Sequence, residues 1–173
     1  MKKTLIIFLS VLLLAACGNN REKDLDEIKA YEARISMFDV AVHADKADTL
    51  TGLYRHFIEE YPDDSLAPLF MLRMAEIAIN TGDNDEAIDL LDNLENTYSD
   101  YEDLAGCLFL KGQAYEADGQ YDEARECYTR FVENYPDHYL AADTRRLIPL
   151  IGLTPEEQLE AVLKQANTEN GNQ

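Results

Sequence analysis

The chain has 173 residues, with 34 Asp and Glu against 15 Lys and Arg, a formal net charge of −19. So acidic a composition is unsuited to nucleic acid or to an anionic lipid surface, and most of the charge reads as solvated outer faces of helices. The length is one domain's worth of chain, enough for a modest continuous core.

The first element is a leader over residues 1–16. Lys2 and Lys3 supply a short positive start, Leu5 to Leu14 is almost wholly apolar, and Leu14-Ala15-Ala16-Cys17 closes it with small residues. The apolar run is about half the roughly 20 residues that a spanning helix needs, so it reads as an export signal. Residues 17–24 are polar and charged after Cys17 and read as a tether.

From Leu25 the pattern turns helical. Ile28, Tyr31, Ile35, Phe38 and Val42 recur at steps of three and four, which predicts one amphipathic helix. A second helix is predicted from about Lys46 to Glu60. Tyr61-Pro62-Asp63-Asp64-Ser65 then forms a turn with a ready cap for the next helix. Helices follow over about Leu66 to Asn80 and Asp85 to Thr97, separated by Thr81-Gly82-Asp83, where Gly82 can take φ > 0. Two more span about Tyr101 to Ala117 and Tyr121 to Asn134, broken at Asp118-Gly119. His138 to about Ile148 is a further helix, stopped by Pro149. Thr154-Pro155-Glu156-Glu157 is a strong helix start, with Thr as cap, Pro at the first position and Glu at the third. The helix it opens runs to about Gln165, carries Leu159, Val162 and Leu163, and is expected to cover the open end of the array. Residues 167–173 read as a frayed tail.

These elements recur. Tyr61, Tyr98 and Tyr135 are spaced by 37 residues and then 37 again. In that register Gly82 overlays Gly119, Ala87 overlays Ala124, and Phe57, Leu94 and Phe131 align. A period of 20–50 residues marks a stacked repeat array, and such arrays bind other polypeptides along an extended surface. The units are about 25–60, 61–97 and 98–134, with a partial repeat and covering helix over 135–166.

Chemistry is sparse. His43, His56 and His138 are widely separated in the repeat register and none stands beside a cysteine at metal-ligand spacing, so no metal or catalytic site is expected and the chain reads as a non-enzyme. Asp83-Asn84-Asp85 lacks the glycine and terminal Glu of a calcium loop. Asp85-Glu86 and Asp122-Glu123 sit at helix starts, where carboxylates favour the helix dipole. Cys107 and Cys127 read as two small buried hydrophobes, with a disulfide as the alternative that an oxidising compartment permits.

The third unit resembles a tetratricopeptide repeat. Leu108, Gly112, Tyr115, Gly119, Ala124, Tyr128, Phe131 and Pro136 fall at the family's spacing, with Lys111 where leucine is usual. The second unit matches through Met71, Met74, Ala75, Ala78, Gly82, Ala87, Leu91 and Leu94, with Ser99 in place of proline. The first is degenerate at Phe38, Asp45 and Leu50. The resemblance covers about Leu25 to Ile148 and implies an all-α superhelix of antiparallel helix pairs, an α-solenoid. It also implies that first helices line a concave groove for a polypeptide partner, here Ile35, Asp39, Val42, Leu69, Leu72, Glu76, Ile79, Phe109, Gln113 and Glu116. Leu72 and Phe109 are expected to be partly exposed there, or else to pack against the N-terminal or C-terminal segment of the chain. The family's carboxylate-gripping subset has Lys, Arg and Asn at places that hold Ile35, Leu72, Phe109, Asp39, Glu76 and Gln113 here, so a carboxylate clamp is not expected.

Leu-Ala-Ala-Cys resembles the lipobox of bacterial lipoproteins. This implies that the chain is cut before Cys17 and that Cys17 carries acyl chains, with no other cofactor. Gly18 after Cys17 implies sorting to an outer membrane. The repeat type, lengthened to 37 residues from the usual 34 or so, is similar to that of lipoproteins of outer-membrane β-barrel assembly and of the coordinator beside the Tol–Pal system. The expected function is a lipid-anchored scaffold of the cell envelope that binds a protein partner. The alternative is a lipoprotein that binds a small ligand or glycan for a transport system.

Overall fold

The computed structural model describes residues 20–170. The leader 1–16, Cys17 and the first residues of the tether lie outside them, as do residues 171–173. Every regular element among the described residues is helical and none is a strand. They run α1 (20–32), α2 (Met37–Val42), α3 (Ala44–Glu60), α4 (Ala67–Thr81), α5 (Asn84–Thr97), α6 (Leu104–Ala117), α7 (Tyr121–Asn134), α8 (Ala141–Leu147), a 3-10 turn (Ile148–Leu150) and α9 (Pro155–Asn170). The all-α architecture of neighbouring helix pairs is the expected one. The contacts group into two compact units, residues 1–81 and 82–173.

The 37-residue period has a direct structural meaning. Tyr61, Tyr98 and Tyr135 are the C-caps of α3, α5 and α7, with φ of −133°, −121° and −127°. Each donates its backbone N–H to the carbonyl four residues back: Phe57 at 2.9 Å, Leu94 at 2.8 Å and Phe131 at 2.9 Å. Those three acceptor residues are fully buried. Each tyrosine carbonyl then accepts from the N–H three residues on, at Asp64, Tyr101 and His138. One helix stop and one turn are thus built three times from the same residue pattern.

In the first unit α3 packs on α4, and α2 touches both. Tyr54 stacks on Phe70 with ring centres 4.9 Å apart, and Phe57 meets Phe70 edge-on at 5.0 Å. Leu25 and Ile28 bury one side of α1. Its polar side is tied down as well: Tyr61 Oη donates to Asp24 at 2.8 Å, and Arg21 pairs with Asp64 at 2.5 Å while lying over the Phe57 ring. Residues 20–24, read from the sequence as part of a tether, are therefore the opening turns of α1, because Arg21 and Asp24 find partners on the α3–α4 corner.

The single helix expected from Leu25 to Val42 is broken at 33–36. Ser36 restarts it with a capping box: its side chain accepts from the Asp39 N–H at 3.1 Å, and the Asp39 carboxylate accepts from the Ser36 N–H at 3.0 Å. Lys46 adds a bond to the same carboxylate at 2.5 Å. Reciprocal capping satisfies two backbone donors that an uninterrupted helix would have used internally.

In the second unit α6 packs on both α5 and α7, and α7 on α8. Gly82 and Gly119 close the expected turns at φ of 85° and 73°. Ala87, Ala124, Leu91, Tyr128, Leu94 and Phe131 are all buried. Gly112 lies against the Tyr128 ring so closely that a Cβ there would sit 2.7 Å from it. This is the close approach for which a small residue stands at that place. α6 starts three residues later than expected, because the Asp103 side chain caps it by accepting from the Gly106 N–H at 3.0 Å. Likewise α8 opens at Ala141, after the turn on Tyr135, and its last turn tightens into a 3-10 form through Pro149.

Thr154 and Glu157 form the predicted capping box of α9, at 3.3 Å and 2.8 Å. The helix continues to Asn170, through residues expected to fray. Its apolar stripe does not cover the end of the array: Leu159 and Leu163 are 62% and 55% exposed. That position is filled by Ile151, buried against Ala124 and Tyr128. Arg125 holds it there by donating to the Ile151 carbonyl at 3.0 Å.

Candidate functional site

The ten residues expected to line a groove divide between the units. In the first, Leu69, Glu76 and Ile79 on α4 are half-buried, and Leu72 is only 6% exposed. Leu72 was expected to be partly open. Instead it belongs to the core of the first unit, where α4 is buried along most of its circumference. Val42 on α2 is exposed, as is its neighbour one turn back, Phe38. Asp39 is committed to Ser36 and Lys46, and these bonds, with that to Lys46 foremost, hold its carboxyl far below the usual range.

In the second unit Gln113 is exposed and Glu116 half-buried. Glu116 accepts from Tyr128 Oη at 3.1 Å, and burial together with that carboxylate pushes the Tyr128 phenol upward. Phe109 is half-buried, with its ring 5.5 Å from both Tyr128 and Phe131. It packs on the rings of α7 within its own unit.

A concavity lies wholly in the first unit. It occupies about 180 Å³ where the break between α1 and α2 faces α3 and α4. Ile35, Val40 and Leu50 form its apolar wall, and Ser36 stands at its edge. Its polar side is a chain of three groups. Tyr54 Oη donates to Glu32 Oε1 at 2.5 Å, and Arg73 Nη1 donates to the same oxygen at 3.2 Å. Burial, reinforced by the Glu32 carboxylate, raises the Tyr54 phenol, which therefore stays a donor. Of the expected groove residues only Ile35 reaches this pocket. Glu32, Leu50, Tyr54 and Arg73 were missed because the pocket depends on a helix break that the apolar periodicity hides. The Ser-x-x-Asp box at Ser36 was the available signal.

Elsewhere the polar groups serve structure. Lys111, standing where the repeat usually has leucine, is buried and pairs with Asp92 on α5. Burial disfavours its charge, but the bond to Asp92 and nearby carboxylates outweigh this and raise its pKa. Cys107 and Cys127 are both buried and unpaired, and burial pushes the Cys107 thiol up to about 12. Among the described residues there is no cluster of metal-ligating side chains, and no helix is long and apolar enough to cross a membrane.

A family model described as tetratricopeptide repeat matches residues 67–144, from α4 into α8. That span covers the second and third sequence units, the two whose spacing carries the resemblance. It supports a tetratricopeptide-repeat protein. No curated protein matches the chain.

Proposed function

We propose that this protein is a non-catalytic adaptor that binds a polypeptide partner through its helical repeats while Cys17 anchors it by covalent lipid to a cell-envelope membrane, the outer membrane by its Gly18. The carrying observation is the tetratricopeptide match over residues 67–144, laid on helix pairs whose stops and turns recur with the 37-residue period. Repeats of this type generally mediate protein–protein interaction, and a stack of repeats offers a long surface for it. The lipid anchor rests on the leader and on Leu-Ala-Ala-Cys. Anchoring would raise the adaptor's local concentration next to a partner on the same membrane. The test is chemical crosslinking of envelope fractions that hold the full-length protein, followed by its purification. A specific, reproducible crosslinked polypeptide is expected. A protein that crosslinks to no polypeptide above an unrelated lipoprotein control overturns the adaptor role.

A further inference from the structure

We infer that the pocket of the first unit is the seat for one leucine- or phenylalanine-sized side chain of the partner polypeptide, with Arg73 taking the backbone carbonyl beside that side chain. The inference rests on the adaptor reading for the nature of the partner, and it goes beyond it in naming the place and the anchor.

Size decides the class of occupant. At about 180 Å³ the pocket is too small for a sugar chain or a drug-sized ligand, whose sites run to roughly 300–1,000 Å³. It is comparable to an apolar cavity of about 150 Å³ that accepts benzene, which is one large apolar side chain. Its chemistry agrees. Ile35, Val40 and Leu50 offer no hydrogen bond through their side chains. Glu32 Oε1 already accepts from both Tyr54 and Arg73, so the pocket's carboxylate is compensated and a cationic group gains little by entering.

Arg73 sets the second contact. Its side chain is 45% exposed and reaches Glu32 with Nη1. The guanidinium carries five donors in a planar fork, so it can keep Glu32 and still donate to a carbonyl at the rim. The formal net charge of −19 adds a condition on the partner. The segment flanking the anchor is neutral or basic, because an acidic one would be repelled on approach.

The pocket also explains why the first unit departs from the repeat. A continuous helix from Leu25 to Val42 would carry residues 33–36 straight past α3. The capping box at Ser36 turns the chain there instead, and Val40 becomes the far wall.

The test uses the full-length protein titrated with N-acetyl-leucinamide and N-acetyl-alaninamide, followed by amide chemical shifts. Each probe is a single residue with both flanking carbonyls. We expect saturable binding of the leucine derivative, roughly millimolar for a ligand of this size, with shifts confined to the pocket. The alanine derivative, three buried carbons smaller, should bind roughly fiftyfold more weakly. Ile35→Trp fills the pocket from its rim and should remove the response. Arg73→Gln, an exposed change that leaves the core alone, should weaken both derivatives by the same factor. The assignment is overturned by no saturable response, by equal binding of the two derivatives, or by unchanged binding in a folded Ile35→Trp or Arg73→Gln protein. If the crosslinked polypeptide is retained by Ile35→Trp, the pocket is rejected while the adaptor role stands. Saturable binding of the leucine derivative alongside no crosslinked polypeptide supports the pocket and rejects the adaptor role.

Discussion

At Gly112 and Gly119 the same substitution tests two different physical effects. A Cβ at Gly112 would sit 2.7 Å from the Tyr128 ring, which is buried and bonded to Glu116 and cannot step aside. Gly112→Ala should cost about 1–3 kcal/mol through overpacking. At Gly119 a Cβ would meet nothing within 4 Å, but φ is +73°. Gly119→Ala should cost only about 1 kcal/mol, the strain of placing alanine in the left-handed region. Urea melts of the two variants check this; a loss below about 1 kcal/mol for Gly112→Ala would mean that Gly112 is not a contact point. A second residue-scale effect is the Arg21–Asp64 pair, whose hydrogen bond holds the Asp64 carboxyl below its ordinary range. A depressed carboxyl contributes stability that is complete above its unfolded pKa of about 3.9 and is lost as the pH falls through the folded value. The stability difference between the native protein and Arg21→Ala should therefore hold steady above about pH 5 and shrink below pH 4. A difference that grows on acidification would contradict the pairing.

At the scale of elements, Lys111 shows how a departure from the repeat pattern is accommodated. A leucine-type position between α5 and α6 carries a cation, and Asp92 of α5 compensates it. Replacing a buried pair member by an apolar residue of similar shape is often neutral, whereas removing the partner strands a charge. Lys111→Met should leave the melting temperature near that of the native protein. Asp92→Ala should lower stability by about 1–2 kcal/mol, a reduced figure because Asp92 itself is half-exposed. The reverse order in thermal melts would show that the pair is a surface ornament. Leu72 and Phe109 teach a related lesson. Both lie at positions that the repeat assigns to a binding surface, yet one is buried and the other packs its ring at a tilt against Tyr128 and Phe131. Truncating them would unsettle the cores they fill, so a lost partner would not report on binding. Ile35, half-buried at the rim of the pocket, is the cleaner probe.

At the scale of the whole molecule, charge dominates. With a formal net charge of −19 the folded chain repels itself, and screening relieves that repulsion over a Debye length of about 10 Å at 0.1 M salt. Thermal stability at neutral pH should rise between low and moderate salt. A falling melting temperature would mean that ion pairs such as Arg21–Asp64 outweigh the general repulsion. The proposed anchor is equally open to test. Cys17→Ser should release the protein into the soluble exported fraction or leave it unprocessed; a variant still cleaved and still sedimenting with membranes would exclude lipidation at this residue.

The sequence by itself determined the all-α class, the repeat length and nearly every helix stop. These follow from local rules: Tyr61, Tyr98 and Tyr135 end helices through bonds four residues back, Gly82 and Gly119 supply positive φ, and Thr154 with Glu157 caps within four residues. Helix starts were less legible at α6 and α8, where the apolar pattern runs on upstream of the residues that open the helix. What only the tertiary structure decided involves partners far apart in the chain. Arg21 finds Asp64 and Asp24 finds Tyr61, which makes residues 20–24 of the expected tether the start of a docked helix. Ile151, held by Arg125, covers the end of the second unit in place of the α9 stripe. Glu32, Tyr54 and Arg73 meet across 41 residues of chain to close a pocket. Periodicity reports which face of a helix is apolar, but not which neighbour meets it; the repeat resemblance placed Leu72 and Phe109 on a surface, where packing buried the one and set the other against Tyr128 and Phe131.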